Sequence, residues 1–243
     1  FLQDEINLVR ESVWLTVGSK YEHNDYSGNE WQPSARLLWK PAADHSLWTS
    51  VARAVVTPTV VQQYGRVTVG YVPETPIPMA FVGNPNCTAE ILWAYEAGYR
   101  WQASRNLSFD LALFYNDYQD LFTMVPDMSG MTAPSTPPNL LPLNWANGVS
   151  GSGQGFELSV DWKPTSWVSF ILAYSYLDLD FSPNAGIAND LASLRYSEGS
   201  ALQQVSLRSS LALAENWRLN LWGRYTDSIY SWDQTEVTGG PLV

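Results

Sequence analysis

The feature that most constrains this chain is an alternation of apolar and polar residues with period two, which sorts side chains onto the two faces of an extended strand. After Asn106, Leu107, Phe109, Leu111, Leu113 and Tyr115 share one face, and Ser108, Asp110, Ala112 and Asn116 share the other. After Asn216, Trp217, Leu219, Leu221 and Tyr225 oppose Arg218, Asn220, Trp222, Arg224 and Thr226, so both arginines fall on one side. The same spacing sets Val13, Leu15, Val17 and Tyr21 against Thr16, Lys20 and Glu22. It also sets Phe156, Leu158, Val160 and Trp162 against Glu157, Ser159, Asp161 and Lys163. Two more segments alternate, around Ile91 to Arg100 and Gln204 to Leu213, while Ser46 to Val56 does so less cleanly. Helical spacing would scatter these sets, and no apolar run approaches the roughly 18 residues of a membrane-crossing helix.

The reading is about ten strands, many long enough for the roughly 9 to 11 residues that a tilted strand needs to cross a bilayer. Their connections alternate in length. Short turns are expected at Leu8 to Ser12, Pro41 to His45, Ala103 to Asn106, Pro164 to Ser166 and Glu215 to Asn216. Longer polar stretches are expected at Asn24 to Glu30, Pro58 to Thr88, Asp127 to Leu140 and Ser182 to Ser200. Outer-membrane barrels show this asymmetry, with tight turns in the periplasm and long loops outside. The chain holds 12 tryptophans and 13 tyrosines, and they gather near strand ends. Trp31 and Trp39, Trp93 and Trp101, Trp162 and Trp167, and the set Tyr225, Tyr230 and Trp232 fit two interfacial belts. The rival reading of these aromatics is the core of a soluble sandwich.

A formal charge of −11 argues against a nucleic-acid partner, because phosphate binding needs a dense positive field. The single cysteine, Cys87, excludes an intrachain disulfide and a multi-cysteine metal site. The first residues carry no basic stretch followed by an apolar one, so no signal peptide is expected in them. Phe1 is expected to begin within a strand and residues 241–243 to stop in a loop, as in an internal fragment. No catalytic constellation stands out. His23 and His45 lie in or beside connections without metal-like partners, and the bland reading is two solvated rings. Asp178 and Asp180 end a strand, with Asp190 further along, so a calcium site has oxygen ligands available, against the plainer reading of a solvated loop. Gly148, Gly151, Gly153 and Gly155 lack the lysine and helix of a phosphate loop, and are expected to serve bulges or close packing in a strand.

Phe1-Leu2-Gln3-Asp4-Glu5-Ile6 followed by Trp14 to Glu22 resembles a phenylalanine-x-glutamine-aspartate strand leading into a leucine-threonine-x-glycine strand. Pro33 to Pro41, then Leu47-Trp48 and Ala52 to Pro58, is similar to the passage that ends in an arginine-x-proline signature, with Val56 standing in the arginine's place. Glu96-Ala97-Gly98, then Tyr115-Asn116-Asp117 and Gly155-Phe156-Glu157, follow in the matching order. Taken together these segments resemble the barrel of TonB-dependent receptors, over nearly the whole chain. The resemblance implies an all-β fold, an antiparallel up-and-down transmembrane β-barrel, with residues 1–243 as a partial barrel domain of about ten strands out of about 22. The plug domain, the TonB-contacting segment and the closing aromatic strand of complete members are not visible in these residues.

The resemblance further implies a non-enzymatic receptor of the bacterial outer membrane that takes up a ferric siderophore or a similar metal chelate, with no cofactor. Its implied partners are the lipid bilayer, the chelate, and the TonB–ExbB–ExbD complex acting through a plug outside this chain. In the longest loop, Tyr64, Arg66, Tyr71 and Phe81 are the expected ligand contacts, since aromatics and arginine can hold a planar or anionic chelate by stacking and charge. The same aromatics packing against one another is the competing reading. A passive porin-like barrel, an outer-membrane enzyme and a soluble antiparallel binding protein remain as alternatives.

Overall fold

The structure is a computed structural model that describes residues 1–127, 140–187, 199–230 and 236–237. The strands are β1 (Leu2–Val9), β2 (Val13–Asn24), β3 (Gly28–Ala42), β4 (His45–Val56), β5 (Arg66–Tyr71), β6 (Pro78–Val82), β7 (Glu90–Ser104), β8 (Leu107–Pro126), β9 (Leu141–Thr165), β10 (Val168–Pro183), β11 (Gln203–Ala214), β12 (Trp217–Thr226), β13 (Ile229–Tyr230) and β14 (Glu236–Val237). One short helix, α1 (Val60–Tyr64), precedes β5. Ten strands form an antiparallel meander in the order β1-β2-β3-β4-β7-β8-β9-β10-β11-β12. Between β4 and β7 the chain makes a β5/β6 hairpin, and β6 also pairs with β9. A separate two-stranded sheet joins β13 to β14. The all-β meander and its strand number agree with the alternation in the sequence.

Register carries the alternation from strand to strand. Leu15 faces Leu37, Leu37 faces Thr49, Thr49 faces Ala97, Ala97 faces Leu113 and Leu113 faces Phe156. On the other face, Thr16 meets Arg36, Arg36 meets Ser50, and Ser50 meets Glu96. One face is thus apolar across the sheet and the other polar. The apolar rows are not sealed in a core: Trp39, Leu113, Tyr115, Leu207, Leu221 and Tyr225 all stay exposed. Among the described residues Val149 is the one large side chain less than 2% exposed. A soluble sandwich would bury those rows between two sheets, so this arrangement speaks against that rival.

Aromatic rings mark two levels on the apolar face. Near the short turns, His45, Trp101 and Phe109 stack in sequence and Trp162 lies 5.8 Å from Phe170. Higher up, Tyr21 lies 4.7 Å from Trp31 and Tyr95 lies 6.2 Å from Tyr115. On β3, Trp31 and Trp39 are eight residues apart, roughly 26 Å along a strand, which suits an apolar band about 25 Å tall.

The short turns fall where the sequence places them. Asn24 to Glu30 is tighter than expected, because β2 runs on to Asn24 and β3 starts at Gly28. Asn24 Oδ1 accepts from the amides of Tyr26 and Ser27, and Gly28 takes φ 75°, which closes the hairpin in a few residues. β8 and β9 span 20 and 25 residues, far beyond the roughly 9 to 11 that cross a bilayer, so the wall rises well past the belts on the long-loop side. Most of the expected loops after Asp127 and within Ser182 to Ser200, with Asp190 and Trp232, lie outside the described residues.

Candidate ligand-binding face and outer loop

The segment from Pro58 to Ala89 is a folded unit rather than a free loop. Thr59 caps α1 with a reciprocal box: its hydroxyl accepts from the Gln62 amide, and Gln62 Oε1 accepts from the Thr59 amide at 2.7 Å. Gln63, 2% exposed, donates through Nε2 to the Tyr26 carbonyl at 2.8 Å and the Cys87 carbonyl at 2.9 Å. One buried amide therefore ties together both ends of this segment and the β2–β3 turn. Beyond α1, β5 and β6 pair antiparallel, and Met79 to Val82 of β6 run parallel to Leu141 to Asn144 of β9. Asn84 Nδ2 donates to the Trp145 carbonyl at 3.0 Å. Asn147 then clamps the far end, accepting from the Thr88 amide and donating to the carbonyls of Thr88 and Asp120. Cys87 is buried in this unit, and desolvation pushes its thiol pKa up. Where the β3–β4 ladder ends at Ser34 and Ala52, Arg53 reaches across to pair with buried Glu30 at 3.7 Å and to donate to the Trp31 carbonyl.

The expected ligand contacts fall at several points of this unit. Tyr64 ends α1 with 65% of its surface exposed, and Arg66 opens β5, also exposed. Tyr71 closes β5, five residues on and so roughly 16 Å from Arg66 along the strand. Phe81 stands opposite Val67, and its half-buried ring packs 5.9 Å from that of Trp145. Tyr64, Arg66 and Tyr71 are presented outward, whereas Phe81 contributes to packing.

A second feature lies on the polar face. Asp110, Glu157, Ser175, Ser206, Arg208 and Arg224 are among the residues lining a groove of about 470 Å³. Arg100 pairs with Asp110, Arg224 Nη2 donates to Gln204 Oε1, and the Arg208 guanidinium lies 5.4 Å over the Trp222 ring. Arg36 lies likewise 4.8 Å over Trp48. Guanidinium groups held over indoles offer charge and forked donors to polar or anionic solutes. The alternation placed Arg218, Arg224 and Trp222 on one side. What it lacked was register, which alone brings Arg208 of β11 beside Trp222 of β12.

The histidines and Asp178 singled out in the sequence each have a local partner. His23 Nδ1 lies 2.8 Å from Asn29 Oδ1, and His45 Nδ1 lies 2.7 Å from the Tyr99 hydroxyl. Asp178 accepts from Gln154 Nε2 at 3.3 Å. Among the described residues no cluster of three or more histidine, cysteine or acidic side chains could hold a metal ion.

Residues 1–241 match the family described as TonB dependent receptor-like, beta-barrel. The chain belongs to the TonB-dependent receptor β-barrel family. Solved structures with the same fold include the siderophore receptor PirA from Pseudomonas aeruginosa, at 19% identity and a TM-score of 0.71 over 92% of this chain and 38% of that one. The ferric enterobactin receptor PfeA from Pseudomonas aeruginosa, as its R480A mutant with enterobactin, matches at 16% identity and 0.75 over 98% and 35%. The FrpB iron transporter from Neisseria meningitidis matches at 12% identity and 0.67 over 98% and 36%. This TonB-dependent receptor barrel chain thus spans little more than a third of the length of those receptors. At these identities the likeness shows the fold. No curated protein matches the chain at a significant level.

Proposed function

We propose that these residues, as one partial barrel domain, form about ten strands of the roughly 22-stranded wall of an outer-membrane receptor. The observation that carries this reading is the division of the sheet into an exposed apolar face and a polar face, in a chain that matches the receptor barrel family from end to end. The apolar face meets lipid, and the polar face lines the lumen. The short turns lie at the periplasmic end and the folded 58–89 unit stands outside. Uptake of a ferric siderophore or a similar metal chelate follows, since the solved relatives are named as siderophore and ferric enterobactin receptors. Tyr64, Arg66 and Tyr71 take the first contact with the chelate, and Phe81 supports the shelf that carries them. Energy comes from the TonB–ExbB–ExbD complex acting through a plug outside these residues.

The test is growth of an iron-restricted strain on defined ferric chelates, comparing the full-length receptor with a version whose 58–89 unit is replaced by a short turn. Loss of growth on one chelate is expected. Undiminished uptake of every chelate would remove the iron reading. A passive porin-like pore would keep its solute flux when the proton gradient is collapsed, whereas energised uptake stops.

A further inference from the structure

The wall divides between β3 and β4. Their ladder ends at Ser34 and Ala52, although β3 begins at Gly28 and β4 continues to Val56, each still paired with its other neighbour. Pro33 supplies the reason. The Lys40 amide donates to the Ser12 carbonyl, so even-numbered residues of β3 turn their backbone groups to β2 and odd-numbered ones turn theirs to β4. The next rung toward β4 would need an amide hydrogen on Pro33, which a proline lacks. Continued in register, the ladder would set Pro33 against Arg53 and Trp31 against Val55. Instead the Arg53 guanidinium donates to the Trp31 carbonyl and pairs with Glu30 at 3.7 Å, the two side chains being 18% and 11% exposed.

Past the fork, β4 gives way to Thr57, buried Pro58 and the α1 cap Thr59. The helix then reaches back to the β2–β3 turn, where Gln63 donates to the Tyr26 carbonyl at 2.8 Å. We propose that Pro33, Arg53 and Glu30 are positioning residues for the outer unit. The proline opens the fork, and the ion pair fixes the angle at which β4 hands the chain to α1, and with it the place of Tyr64 and Arg66. The inference rests on the proposed role of those two residues in chelate contact. A largely buried charge pair suits this task, because its hydrogen bonds are directional and leaving either partner alone in the fork is costly. β6 is held separately by its rungs to β9, so the fork governs the α1 end of the unit.

The experiment uses the full-length receptor and reads backbone amide exchange by mass spectrometry, alongside binding of the iron(III) complexes of a tris-catecholate, a tris-hydroxamate and citrate. Pro33→Ala restores the missing donor and lets the ladder advance. Arg53→Met combined with Glu30→Gln removes both charges at once, so no lone buried charge is left to unfold the barrel. In each variant, exchange across residues 57–65 should rise about tenfold while exchange across 78–82 keeps the wild-type rate. The complex that the wild type binds best should bind about tenfold more weakly. Unchanged exchange at 57–65, or an equal rise in both segments, would overturn the positioning role. Full affinity in both variants, when Tyr64→Ala weakens binding, would overturn it too and leave the contact reading standing. Should Tyr64→Ala and Arg66→Ala both bind like the wild type, the contact reading falls and the exchange rates alone decide the role of the fork.

Discussion

Gly155 faces Leu177 on one side and Phe114 on the other, and a Cβ there would overlap the Tyr176 carbonyl and the Phe114 ring. At Gly98 the nearest atoms belong to the Trp48 indole, a side chain and not backbone. Gly155→Val is therefore expected to cost about 1–3 kcal/mol of barrel stability, and Gly98→Val less; urea midpoints of the folded receptor in detergent micelles check the order. Glycines as close-packing residues were legible in the sequence, but which ring each one admits was not, since that depends on register. Gln63 and Cys87 give a second prediction. Gln63→Ala leaves two carbonyls without their donor, a loss of roughly 1–3 kcal/mol that should speed maleimide labelling of Cys87 about 5- to 150-fold by local opening. Because burial raises the thiol's pKa in the folded unit, the folded state favours the protonated form. That contribution to stability is whole below the ordinary thiol range and declines as pH climbs through the raised value. Labelling of the wild type should rise later with pH than that of a short peptide with the same sequence.

At the level of elements, long strands with clean alternation were read from sequence because period two survives whatever the partner strand is. The 58–89 unit was read as a loop because its order comes from side-chain bonds to distant backbone: Gln63 to Tyr26, Asn84 to Trp145 and Asn147 to Thr88. A local signal did exist, since Thr59 followed three residues later by Gln62 is a capping box. This accounts for the partial legibility of the candidate site. Tyr64, Arg66 and Tyr71 are exposed, as residues of a polar connection are expected to be, while the packing of Phe81 against Trp145 required the β6–β9 pairing. The unit contains one basic residue, Arg66, in a paired strand. Trypsin should leave that bond intact in the native receptor, and Asn147→Ala, which removes the clamp, should make it the first cut; equal resistance of both proteins would show that the clamp is dispensable.

For the whole molecule, the two faces predict opposite solvents. Single cysteines at Leu113 and Leu221 should be shielded from a membrane-impermeant thiol reagent and reached by a lipid-soluble one, and cysteines at Asp110 and Arg208 should behave the other way. Labelling in intact outer membranes decides it, and a shared pattern at all four positions would contradict a barrel wall. The described sheet pairs β1 and β12 on one side each, and an open strand edge in lipid is costly. Closure of the barrel therefore needs strands beyond these, which alternation within one chain cannot supply. The four rungs that join β6 to β9 have a mechanical consequence. A lid must swing, and this unit is fastened to β9 through Met79 to Val82, so it cannot hinge away from the wall without unzipping those rungs. Under the proposed uptake reading it is a fixed ledge and not a swinging one.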